Sequence, residues 1–338
     1  MFSLRTQCKT ILQAPAVVLL FISMAAAQTH KLEWIEPSLI GLPPARCCGP
    51  IVYDPAMGAT LLFGGRTSTG TGTFGDTWAF SKSTGWRQLA PAVSPPPLQV
   101  ASLAYDPTTE TVVLFGGTLA HGGNSDETWT WDGVTWTQQF PPVSPSARGW
   151  NTNGMVFDSQ VGKVVLFGGY TYGFVIMNDT WEWDGKSKTW TEQFPANSPS
   201  PRSATLAYDE ATKQVVLFGG WTNGIAYGDT WIYNGVNWVQ QQPATSPQAR
   251  GDNGLAYDPI LKKVVLFGGL AGFCEDCGEG RLNDTWLWDG SDWSQVQTST
   301  SPTPSSGVSF TSTQEGMLLF GGWVTDSQYT NGTWFFEP

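Results

Sequence analysis

The chain repeats a short apolar run that ends in a pair of glycines. "LLFGG" ends at Gly65, "VVLFGG" ends at Gly117, Gly169, Gly220 and Gly269, and "MLLFGG" ends at Gly322. A β-branched apolar run of this length, bounded by glycine, reads as a strand buried on both faces. Upstream of the first five runs stands an aromatic–Asp pair: Tyr53-Asp54, Tyr105-Asp106, Phe157-Asp158, Tyr208-Asp209 and Tyr257-Asp258; the sixth unit has "STQEG" instead. Downstream comes a block that alternates polar and aromatic positions, the period of a strand: "GDTWAF", "DETWTW", "NDTWEW", "GDTWIY", "NDTWLW" and "NGTWFF". A turn, often Asp-Gly or Asn-Gly, then leads to a further Trp at 86, 136, 190, 238 and 293; such pairs suit a tight hairpin. The period is about 50 residues. Each unit therefore predicts four short antiparallel strands, and no segment outside the first 27 residues carries a helical period.

Units of four strands joined by short loops predict an all-β fold, a β-propeller. The blade count follows from one spacing. After the last Trp of a unit the chain runs "WTQQFPPVSPSAR", "WTEQFPANSPSPR" or "WVQQQPATSPQAR", and Trp34 stands before Arg46 at the same interval. The final unit ends at "TWFFEP", a third strand with no fourth. The expectation is a six-bladed ring whose last blade is completed by residues about 31–36, with blades opening near 46, 98, 148, 202, 250 and 305. Joining the ends this way removes two strand edges.

The double glycine, the spaced aromatics and the Pro-x-x-Arg opening recur together, and in this the chain resembles the kelch-repeat propellers. It is similar to the central domain of galactose oxidase over nearly all of residues 28–338, which read as a single domain. The resemblance implies a ligand site at a loop-rich mouth of the ring.

Composition narrows the partners. Charged residues are 13% of the 338 and the formal charge is −11, which argues against a nucleic-acid backbone as ligand. Residues 1–27 carry Arg5 and Lys9, then "ILQAPAVVLLFISMAAA", the order of a secretory signal peptide with a small-residue cleavage site. The expectation is a secreted or periplasmic monomer with no membrane span after cleavage and no cofactor or metal. Beyond the leader lie Cys47, Cys48, Cys274 and Cys277. An extracytoplasmic setting favours disulfides of undecided pairing, while free thiols and a four-Cys zinc site stay open.

Positions filled alike in every unit read as fold; departures read as function. Fifteen of the 18 Trp fall on the template, leaving Trp150, Trp221 and Trp323. Trp221 and Trp323 follow the glycine pair directly, as Tyr170 does. Strand direction puts these aromatics and the blade-opening Arg46, Arg148, Arg202 and Arg250 on one face. Guanidinium groups beside aromatics suit an acidic sugar or an acidic peptide loop.

Two functions follow. The first is a binding module for a protein or glycan at that mouth. The alternative is a sugar-modifying enzyme, since propellers resembling this one include a bacterial sialic-acid mutarotase. Asp252, Glu275 and Asp276 are the off-template acids that could transfer a proton there. Only His30 and His121 exist, which disfavours the copper-radical chemistry of galactose oxidase; His121 reads as an exposed loop residue.

Overall fold

A computed structural model describes residues 31–67, 72–272, 280–325 and 327–337. The leader, His30, Cys274, Glu275, Asp276 and Cys277 lie outside the described residues. Among the described residues every regular element is a strand, and none forms a helix able to cross a membrane. Six antiparallel sheets of four principal strands form a six-bladed propeller. Blade three is representative: Met155–Asp158 lines the centre, followed outward by Lys163–Thr171, Ile176–Asp184 and Thr189–Gln193. In blade six the order is Ser309–Thr313, Gly316–Thr325, Gln328–Glu337 and then Glu33–Ile35, with Trp34 opposite Phe336.

The core is not one mass but six apolar slabs, each between neighbouring blades. Leu61 and Phe63 pack against Leu103, Leu114 and Trp129 of blade two. Leu62, between them in sequence, points the other way and packs with Leu318 and Phe320 of blade six. Period two thus sends alternate side chains into different slabs, which is why the second strand is apolar at every position.

Each outermost-strand Trp also bonds across a blade boundary. The Nε1 donors of Trp86, Trp136, Trp190, Trp238, Trp293 and Trp34 reach the hydroxyls of Thr333, Thr77, Thr128, Thr180, Thr230 and Thr285, at 2.8–3.1 Å. The donor always belongs to the blade after the acceptor's, so the six bonds close a circle, and Trp34 makes the one that blade six requires.

The double glycine marks a second inter-blade contact. Gly116 has φ +71°, and a Cβ built there would lie 2.6 Å from the carbonyl oxygen of Arg148, the residue opening the next blade. Gly117 donates its N–H to that same oxygen at 2.8 Å. The pair is glycine because the neighbouring backbone occupies the space of a side chain.

Candidate functional site

The face formed by the blade-opening segments and the loops after the glycine pairs was the expected mouth. Its four arginines are buried, each at most 1% exposed. Arg46 grips Asp76 with both terminal nitrogens, at 2.6 and 2.9 Å, and also donates to the Gly64 carbonyl. Arg148 does the same with Asp179 and Gly168. Arg202 bonds Asp229 and Gly219, and Arg250 bonds Asp284 and Gly268. Each Asp accepts a further bond from the Trp two residues on, as Asp179 does from Trp181 at 2.8 Å. Burial pushes the Asp284 carboxyl up, but the bonds and charge of Arg250 outweigh it and hold the group below its ordinary range.

The expectation that Arg46, Arg148, Arg202 and Arg250 receive an acidic ligand is corrected by this geometry. Their carboxylate partners are built in, and their εN–H groups are satisfied by nearby carbonyls, as Arg148 is by Ser146. The sequence held an unread signal. Where the blade opens with Leu98 or Ser305 instead of Arg, the matching Asp is also replaced, by Glu127 and Gly332.

The leftover aromatics share the face but do not gather at one point. Trp150 is exposed and lines the central opening with Cys48, Val100, Asp252 and Gly307. Trp221 is 8% exposed; its ring lies where a Cβ on Gly251 would stand, so it seals the joint between blades four and five. Tyr170 donates its hydroxyl to the Trp221 carbonyl at 3.2 Å. Trp323 is separate, against Tyr329 and beneath the Arg281 guanidinium.

The central opening on this face is nearly shut. Cys48, Val100, Trp150, Asp252 and Gly307 occupy equivalent places and all have φ between +51° and +62°. This turns their backbones into one another: Val100 donates to the Cys48 carbonyl, Cys48 to that of Gly307, and Gly307 to that of Asp252. The space left is about 20 Å³, room for a single water. Asp252 sits in this plug, and loss of surrounding water pushes its carboxyl up to about 6. Cys47 and Cys48 are free thiols, not members of the disulfides that the sequence favoured with undecided pairing. The hydrogen bond with Cys47, then burial, raises the Cys48 thiol. His121 is exposed. Among the described residues no cluster of His, Cys, Asp and Glu is placed to hold a metal ion.

This face also exposes large apolar side chains. Tyr172, Phe174 and Val175 cap the hairpin after the blade-three glycines, at 80%, 74% and 59% exposure. Ile225, 60% exposed, caps the corresponding hairpin of blade four, which the Tyr170–Trp221 bond ties to it. Sequence reasoning passed over these four residues because it followed the surplus Trp and the blade-opening Arg, and nothing in the chain order shows which loop tips stand exposed.

The larger cavity opens on the opposite face. It is the central channel, about 540 Å³, lined by the innermost strands and the turns after them. Tyr53, Tyr105, Phe157, Tyr208 and Tyr257 line it, one per blade, with Ser312 at the sixth place.

Residues 56–246 match the family described as the KLHDC2/KLHL20/DRC7 Kelch-repeats domain. An alignment of 150 positions that covers 40% of the chain is 29% identical to an F-box/kelch-repeat protein of Arabidopsis thaliana. The match spans 30% of that relative's length.

Proposed function

Because the chain belongs to the kelch-repeat domain family, we propose that it is a protein-interaction module that engages its partner through the loop hairpins of blades three and four. The observation that carries this reading is the apolar patch of Tyr172, Phe174, Val175 and Ile225, with Trp150 exposed on the same face. Single exposed apolar residues are ordinary, but several on adjoining hairpins mark an interaction surface. Protruding tips of this kind fit a groove on a protein; a glycan is better served by a concave platform. An enzyme of the sialic-acid mutarotase kind is not favoured. The arginines it would need for a carboxylate are already paired, and Asp252 lies in the plug. The composition of residues 1–27 supports an extracytoplasmic setting for the module.

The test is site-specific photocrosslinking in extracts of the source cells, with the crosslinker at position 174 or at exposed Val134 on the opposite face. Discrete protein adducts from position 174 alone are expected. Equal adduct patterns from both positions, or none from 174, reject this surface.

A further inference from the structure

The central channel has a chemistry of its own. The inner strand of each blade has its main ladder partner on one side only, so its other edge presents backbone N–H and C=O groups toward the channel. Among the described residues the hydroxyls of Tyr53, Tyr105 and Tyr257 make no hydrogen bond within the protein, whereas Tyr208 meets Ser159 Oγ at 2.8 Å. Burial and nearby carboxylates raise all four phenols above their ordinary range, so each stays a neutral donor and acceptor. Glu210 and Lys262 are the charged residues of the lining, one of each sign.

The wall therefore combines flat aromatic faces, neutral hydroxyls and strand edges, with carboxylates such as Asp54, Asp106 and Asp258 standing behind the phenols. A volume of about 540 Å³ lies in the range of small-molecule sites. At the closed end, Asn253 is 3% exposed and its Oδ1 has no hydrogen-bond partner. It lines the narrow cavity, and Asn153 lines both that cavity and the channel. A buried acceptor left without a donor implies that a hydroxyl or water completes it.

We propose that the channel binds a neutral polyhydroxylated ligand of mono- or disaccharide size, entering from the face opposite the protein-binding hairpins. Its C–H faces stack on the aromatic rim while its hydroxyls exchange hydrogen bonds with the phenols and the strand edges. An anionic ligand is disfavoured by the carboxylates behind the phenols. An extended protein segment has no exit, because the far end is plugged.

Saturation-transfer NMR and calorimetry of the purified protein with D-glucose, D-galactose, maltose and cellobiose test this. Binding of at least one probe is expected. The double variant Tyr105→Ala/Tyr257→Ala should weaken it at least about tenfold. The pair Tyr105→Phe/Tyr257→Phe, which keeps the rings and the fold, should weaken it a few-fold by removing hydroxyls alone. Phe174→Ser, which disables the proposed protein surface, should leave it unchanged. Three results each overturn the proposal: no binding of any probe up to ~50 mM, binding that the Phe pair leaves at wild-type strength, or binding lost in Phe174→Ser.

Discussion

Trp34 Nε1 donates to Thr285 Oγ1 at 2.8 Å across 251 positions of sequence. The Trp34 ring also lies 4.7 Å from that of Phe267, the contact that Phe63 makes with Trp136 at 5.4 Å. A residue near one end of the described chain thus does the work that an outermost Trp does in every blade. Removing the ring leaves a cavity at a blade boundary, so Trp34→Ala should cost about 3–5 kcal/mol. Thr285→Val removes the bond and keeps the shape, and should cost about 1 kcal/mol. Trimming residues 28–36 should cost more than either, since it also bares the edge of Gln328–Glu337. Calorimetric melting checks the order; a trimmed protein that melts with the wild type sinks the closure.

Arg148 and Asp179 are a buried pair whose members depend on each other. Removing one partner strands the other's charge, so Arg148→Met or Asp179→Leu alone should cost about 3–5 kcal/mol. The double variant should cost less than the two single losses summed, because the stranded charge is gone. Urea unfolding of the four proteins completes the cycle, and strict additivity would show that the pair does not act as a unit.

The glycine pair makes a claim about space rather than flexibility. At Gly116 an added Cβ meets the Arg148 carbonyl of the next blade, and φ is +71° besides. Gly116→Ala should therefore destabilise by more than about 2 kcal/mol. Gly162 also has positive φ, +69°, but nothing stands within 4 Å of its Cβ position. Gly162→Ala should cost about 1 kcal/mol, the backbone strain alone. Equal losses at the two sites would remove the inter-blade crowding argument.

The ring was legible in the sequence because a repeat prints its packing at fixed intervals. Trp34 reads as a last strand from its distance to Arg46, and the final unit is the one that lacks such a strand. The site was less legible for two reasons. Treating template positions as fold and departures as function fails on the symmetry axis, where the repeat itself builds the site. Tyr53, Tyr105, Phe157, Tyr208 and Tyr257 fill one template position, and for that reason they meet around the channel. The second reason is pairing. Arg46 or Arg250 read alone is an available cation; its carboxylate stands some thirty residues on, in a block that looked purely structural. Comparing which units lack the Arg with which lack the Asp would have joined them.

Asp252 gives a pH dependence with a definite sign. Its folded-state carboxyl is pushed up to about 6 by loss of hydration, against about 3.9 in an unfolded chain. Between these values the folded protein holds the proton more tightly than the unfolded one does. The stabilising contribution is therefore full below about pH 4 and is lost as pH rises through about 6, by at most about 3 kcal/mol. Asp284 runs the other way: Arg250 holds it low, so its contribution is present above the unfolded value and lost in acid. Asp252→Asn removes only the first effect and keeps a residue that tolerates φ of +53°. The variant should gain on the wild type as pH rises from 4 to 7 and exceed it in stability at pH 7. Urea midpoints across that range read the difference directly, and parallel profiles would show that Asp252 stays hydrated in the plug.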